Sequence, residues 1–206
     1  MITPPKTDSG GAARWRDSFL KSLDDYQVAD SLRQAAVTED LAKWTFLLTA
    51  VVVRSCGDLG WAVAAKGHSL ALLPQPGQEY LGIDVMAFGA RDALDHSQAT
   101  WPVPLAVFEL ENSTQDDRVA YSLWKVLCVR ARLQVVVAYR RTWEQATALP
   151  NRIAADVLPG FQETIGATSS DVVIVMGSRS EGGSFPWGYF KFWRLDHGVG
   201  RFIKLG

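Results

Sequence analysis

Apolar residues recur along this chain at two spacings, about 3.6 and 2, and the switch between them marks out the elements. Arg14 to Leu23 and Val28 to Ala36 carry the helical spacing, and each fits a short helix. Leu41, Trp44, Leu48, Val51, Val52 and Ser55 then fall on one helical face. They predict a longer helix that opens at Thr38 and closes at Gly57 and Gly60. Glu39 and Asp40 fall in its first turn, where carboxylates suit the helix dipole, and Glu39 is placed to pair with Lys43 one turn on. Short strands are expected at Trp61–Ala65 and Ser69–Leu73, with the Lys66-Gly67-His68 run between them as a tight turn.

From Tyr80 to Phe88, and again from Leu105 to Leu110, both alternate sides are apolar, as in strands covered on two faces. The polar stretch from Gly89 to Pro104 joins them, and a loop that long in a compact domain often has a function. A helix entered through residues 112–117 runs to about Arg130, with Val119, Leu123, Val126 and Leu127 as its stripe. The buried strand Leu133 to Tyr139 follows, so strand, helix and strand imply a right-handed parallel crossover. Further on, a helix is expected from Asn151 to Glu163, a strand from Asp171 to Met176 and a hairpin of Tyr189–Leu195 with Arg201–Leu205. The expected fold is α/β, a mixed sheet flanked by helices. Residues 1–26 form a tail and short helix, and 27–206 a single domain with its core at 38–140 and an extension at 141–206.

With 206 residues, 48% of them hydrophobic, the chain can bury one ordinary core. A net charge of −1 gives no overall basic signature for nucleic-acid binding, which leaves only a local basic face. Two isolated cysteines and three histidines in turns (His68, His96 and His197) lack zinc-ligand spacing, and none of the histidines is a strong catalytic candidate. Leu47 to Val53 is too short to cross a bilayer, and a cytoplasmic location is expected.

Against this background three carboxylates stand where the pattern calls for apolar residues: Asp84, Glu109 and Glu111. Alternation puts Glu109 and Glu111 on one face. If the two strands pair antiparallel with Phe88 opposite Leu105, Asp84 lies opposite Glu109 and Gly82 opposite Glu111. Facing carboxylates repel, and a buried unpaired one costs more. A divalent cation held among the three would remove both penalties.

A helix with an early Glu39, antiparallel strands bearing Asp84 in G-I-D-V and then Glu109 in F-E-L-E-N-S, a crossover helix and a buried strand together resemble the PD-(D/E)xK nuclease superfamily, the restriction-endonuclease-like fold. The resemblance covers about half the chain, Thr38 to Tyr139. It implies a metal-dependent nuclease in which Asp84 and Glu109 ligate Mg²⁺ or Mn²⁺, with Glu39 as an outer ligand or orienting residue. Glu111 departs from the pattern, since it fills the position of the family's lysine, and it becomes a third ligand or a base. Lys125, the only lysine on the following helix, is placed by its angle about 140° from the stripe, facing solvent.

Two functions follow: hydrolysis of nucleic-acid phosphodiester bonds, or binding and assembly by a nuclease-like domain that has lost catalysis. Nucleic acid, DNA ahead of RNA, is the implied partner. Ser113, Lys125 and Arg130 are the candidate contacts, with Arg132, Arg140 and Arg141 as further members of a basic edge. Asn112, Ser113 and Thr114 fit as caps of the next helix. Trp101, Trp187 and Trp193 are candidate base-stacking residues, and the terminal hairpin suits a homodimer.

Overall fold

The computed structural model describes residues 10–70, 77–89, 101–161 and 170–205. Its helices are α1 (Gly10–Ser22), α2 (Tyr26–Val37), α3 (Leu41–Asp58), α4 (Asp116–Leu127) and α5 (Trp143–Val157). Its strands are β1 (Trp61–Ala65), β2 (Val85–Gly89), β3 (Ala106–Leu110), β4 (Leu133–Arg140), β5 (Asp171–Ser178), β6 (Phe190–Asp196) and β7 (Arg201–Leu205). Among the described residues these strands form one seven-stranded sheet in chain order. The β3–β4 and β4–β5 pairs are parallel and the rest antiparallel. The fold is mixed α/β.

Each face of the sheet is buried, which explains the continuous apolar runs of the central strands. On one face Val85, Ala87, Phe108, Val135 and Val173 meet α1, α2 and α3, with Trp15, Phe19, Trp44 and Leu48 filling the layer. Trp15 sits 5.2 Å from Phe108 and Phe19 5.3 Å from Phe190, so α1 is built into this core. On the other face Met86, Phe88, Val107, Val136 and Ile174 lie under α4 and α5. No helix among the described residues is long and apolar enough to cross a membrane.

Several boundaries differ from the sequence expectation. Helix α3 begins at Leu41 behind an Asp40 cap that accepts the Lys43 N–H at 3.1 Å. Glu39 therefore precedes the helix, in the left-handed region at φ 59°. The residues from Tyr80 to Gly82 form a short 3₁₀ turn, and the strand starts only at Val85. Helix α5 starts eight residues ahead of the expected Asn151 and runs through Pro150. Pro150 lacks the N–H for the helical ladder, yet it is buried and the helix carries on past it. Of the expected Ser69–Leu73 strand, Leu70 bridges to Gly77, and residues 71–73 lie outside the described residues. Most of the long loop from Gly89 to Pro104 and His96 also lie outside them.

Candidate functional site

The candidate chemistry lies where β2 begins beside the end of β3. Val85 pairs with Phe108 and Ala87 with Ala106, the register assumed above, and one further step sets Asp84 against Glu109. The two acids are stitched together by the main chain. The Leu110 N–H donates to Asp84 Oδ2 at 2.7 Å, and the Asp84 N–H points to Glu109 Oε1 at 3.4 Å. Alternation puts both side chains on the face that holds Met86, Phe88 and Val107, beneath α4.

Leu81 and Gly82, at φ 56° and 65°, turn the chain sharply just before Asp84. A left-handed leucine is uncommon and strained, and it marks a segment held in place by its surroundings. The bend offers the Gly82 carbonyl to Lys125, whose Nζ donates to it at 2.5 Å. The same Nζ lies 2.8 Å from Glu109 Oε1. The expectation that Lys125 faces solvent is therefore corrected: it enters the carboxylate pair from α4. The stripe had been drawn through apolar residues alone. Ser122, only 2% exposed, belongs to it, whereas Leu127 is only partly covered. Recentred on Val119, Ser122, Leu123 and Val126, the buried face lies about 110° from Lys125 instead of about 140°. A long, N-terminally leaning side chain spans that gap.

Burial of Glu109, 5% exposed, raises its pKa to about 7; the hydrogen bond from Lys125 opposes this and the Asp84 charge adds to it. Asp84 is raised too, first by burial, against the opposing Leu110 N–H and Lys125. One ammonium thus stands between two carboxylates that resist being charged together.

The other sequence candidates are placed differently. Glu111 continues the ladder through its N–H to the Val137 carbonyl at 2.8 Å. Its carboxylate turns to the Ser113 N–H at 2.7 Å and Ser122 Oγ at 3.5 Å. Among the described residues no three His, Cys, Asp or Glu side chains gather to hold an ion, so the expected trio reduces to the pair Asp84 and Glu109. Glu39 pairs with Arg179, which also lies over the Tyr139 ring at 4.4 Å; it does not join the acids.

Ser113 accepts the Gln115 N–H at 3.1 Å, and Asn112 ties to Thr45 at 2.9 Å. The residue at the N-cap of α4 is Gln115, so the expected caps brace the connection instead. Arg130 is exposed beyond the end of α4, at the opposite end of β4 from Ser113 and Arg140, so the basic residues do not line one edge. Trp101 and Trp187 are exposed at 69% and 64%, whereas Trp193 is buried against Trp143.

Sequence reasoning passed over a second group at the carboxyl ends of the parallel strands. Arg140, Asp116 and Arg152 are joined there, with Arg140 Nη2 2.7 Å from Asp116 Oδ1. No family model, curated protein or solved structure matches this chain.

Proposed function

We propose that the chain is a metal-dependent phosphodiesterase acting on nucleic acid, with Asp84 and Glu109 as the metal-holding pair and Lys125 as the working cation. The observation that carries this reading is the 2.8 Å approach of Lys125 Nζ to Glu109 Oε1. It supplies from α4 the positive charge absent at position 111. The succession α3, β1, β2, β3, α4, β4, with Asp84 and Glu109 side by side, further supports a restriction-endonuclease-like core.

Two carboxylates suit Mg²⁺, which binds through one or two acids and keeps several waters. Glu109's resistance to ionising is what a second cation would relieve. Such an ion polarises a phosphate and makes its bound water a better nucleophile. Lys125, held by Gly82 and Glu109, offers a fixed charge where negative charge develops on the phosphate. The Leu110 N–H orients Asp84, and Glu111, engaged by Ser113 and Ser122, holds the turn into α4.

The occupied Glu111 favours a second reading, in which Lys125 is a structural counter-ion and the domain binds without cleaving. Incubating labelled single- and double-stranded DNA and RNA with Mg²⁺ or Mn²⁺ separates the two. Cleavage that disappears in Asp84→Asn, Glu109→Gln and Lys125→Met supports the enzyme. Binding without cleavage by the wild type supports the second reading.

A further inference from the structure

A cleft of about 420 Å³ opens past the end of β4, lined by Thr114, Asp116, Arg140, Arg141, Gln145 and Arg152. It lies between the β3–α4 and β4–α5 connections, at the carboxyl ends of parallel strands, where open α/β sheets commonly bind ligands. Three arginines against one aspartate give its lining a net charge of +2. Asp116 is already engaged by two of them, Arg140 and Arg152. Arg140 is 5% exposed, and its guanidinium is fixed by the Tyr139 carbonyl at 2.7 Å and by Asp116.

The other donors have no such engagement. The side chains of Thr114, Arg141 and Gln145 are exposed and make no hydrogen bond or ion pair with another described residue. Both helices that open here start without a side-chain cap bond, α4 behind Gln115 and α5 behind Thr142. Asp117 and Glu144, the other acids of those first turns, do not line the cleft. A buried arginine fixed in place, two exposed ones, a hydroxyl, an amide and helix starts form a donor-rich concavity suited to an anion with several acceptor oxygens.

We propose that this cleft is a phosphate-binding subsite that grips the backbone of a nucleic-acid strand beside the acid–lysine site. The strand assignment rests on the phosphodiesterase reading; the phosphate chemistry does not. Thr114 is five residues from Glu109, so their Cα atoms are at most about 18 Å apart. That is no more than roughly five nucleotide steps of B-form axial rise. A phosphate held in the cleft and a phosphodiester at Asp84 and Glu109 can therefore belong to one strand. Charge reversal in the cleft acts on affinity and its salt dependence whether or not the chain cleaves.

The test is fluorescence anisotropy with labelled single- and double-stranded DNA and RNA, in EDTA and across a salt series, so that hydrolysis plays no part. Arg141→Glu is the first variant, because its side chain has no hydrogen-bond or ion-pair partner among the described residues to lose. Arg141→Glu with Arg152→Glu is the second, and Arg201→Glu, exposed on β7, is the control. The expected result is at least a tenfold loss of affinity for Arg141→Glu and about a hundredfold for the pair. The slope of log Kd against log salt should be shallower by about two in the pair. Arg201→Glu should stay within twofold, and millimolar inorganic phosphate should compete with oligonucleotide on the wild type.

Unchanged binding in both cleft variants overturns the proposal, even where cleavage is found. Binding of inorganic phosphate with no affinity for any oligonucleotide overturns the strand assignment and leaves a site for small phosphates. The expected cleft effects without cleavage by the wild type uphold the subsite and refute the enzyme.

Discussion

Replacing Glu109 with glutamine should make this protein more stable at alkaline pH and leave it unchanged in mild acid. The magnitude follows from the raised pKa of about 7 against an ordinary value of 4.5. Between those values the folded chain binds more protons than the unfolded one, so stability falls as pH rises through the window and levels off above it. At about 1.4 kcal/mol per pH unit the fall from this residue amounts to roughly 3 kcal/mol. Glutamine has nearly the shape of the protonated acid and no titration. Glu109→Gln should thus match the wild type near pH 5 and exceed it by up to roughly 3 kcal/mol at pH 8. A smaller decline survives in the variant, because Asp84 is raised in the same direction.

Urea denaturation at intervals from pH 5 to 8.5 measures this, provided the m-value is constant across the series. Lys125→Met should act in the opposite sense. Without the ammonium 2.8 Å away, Glu109 should titrate above its present value, so the decline extends past pH 7 and the deficit against wild type grows with pH. Parallel stability curves for wild type and Glu109→Gln would refute the claim that this acid is held against its preference for charge.

Lys125→Met should lower the rate of any phosphodiester cleavage by about 10²-fold or more, with Lys125→Arg recovering part of it, as assayed on labelled oligonucleotides. Binding Mg²⁺ or Mn²⁺ must deprotonate Glu109, so calorimetry near pH 6.5 in buffers of different ionisation enthalpy should show proton release that fades by pH 8.5. Asp84→Asn should remove the binding itself. Phe19→Ala should cost about 3–5 kcal/mol in chemical denaturation, because the ring is fully buried between Trp15, Phe190 and Phe192.

Much of the sheet was legible because its signal is local. Strands β3, β4 and β5 are buried on both faces, so their apolar runs are continuous and their limits fall within a few residues of expectation. The register of β2 on β3 is not set by that signal, since both faces are apolar and the loop is long; pairing Phe88 with Leu105 is an assumption that the observed register matches. Elements whose form depends on distant contacts were misjudged. Nothing near Pro150 reveals that the core will bury its ring and carry α5 through it. Nothing near Glu39 reveals Arg179, 140 positions away, as its partner. The Asp116, Arg140 and Arg152 group is likewise assembled from α4, β4 and α5, and each member alone reads as a surface charge.

The lysine is the sharpest case, because the nuclease motif specifies a spacing while the proposed chemistry requires a charge at a point in space. Position 111 lies on the same sheet face as Glu109, about 7 Å along the strand. Helix α4 crosses that face, so a lysine leaning toward the helix start reaches Glu109 from above instead of from the neighbouring strand position. If the two routes are equivalent, the charge can be returned to the strand. In a Lys125→Met background, Glu111→Lys should recover at least tenfold of the lost cleavage and flatten the alkaline decline in stability. Glu111→Lys alone should leave two cations beside two acids, with stability at pH 8 near that of the wild type once the lost Ser113 and Ser122 bonds, about 1 kcal/mol each, are counted. The double variant must be compared with Glu111→Gln in the same background, which removes the carboxylate without adding a charge. Equal recovery by lysine and glutamine would mean that repulsion from Glu111, and not a missing cation, limits the Lys125→Met protein. Recovery by lysine alone would establish that the site needs a positive charge beside Glu109 and is indifferent to the element that brings it.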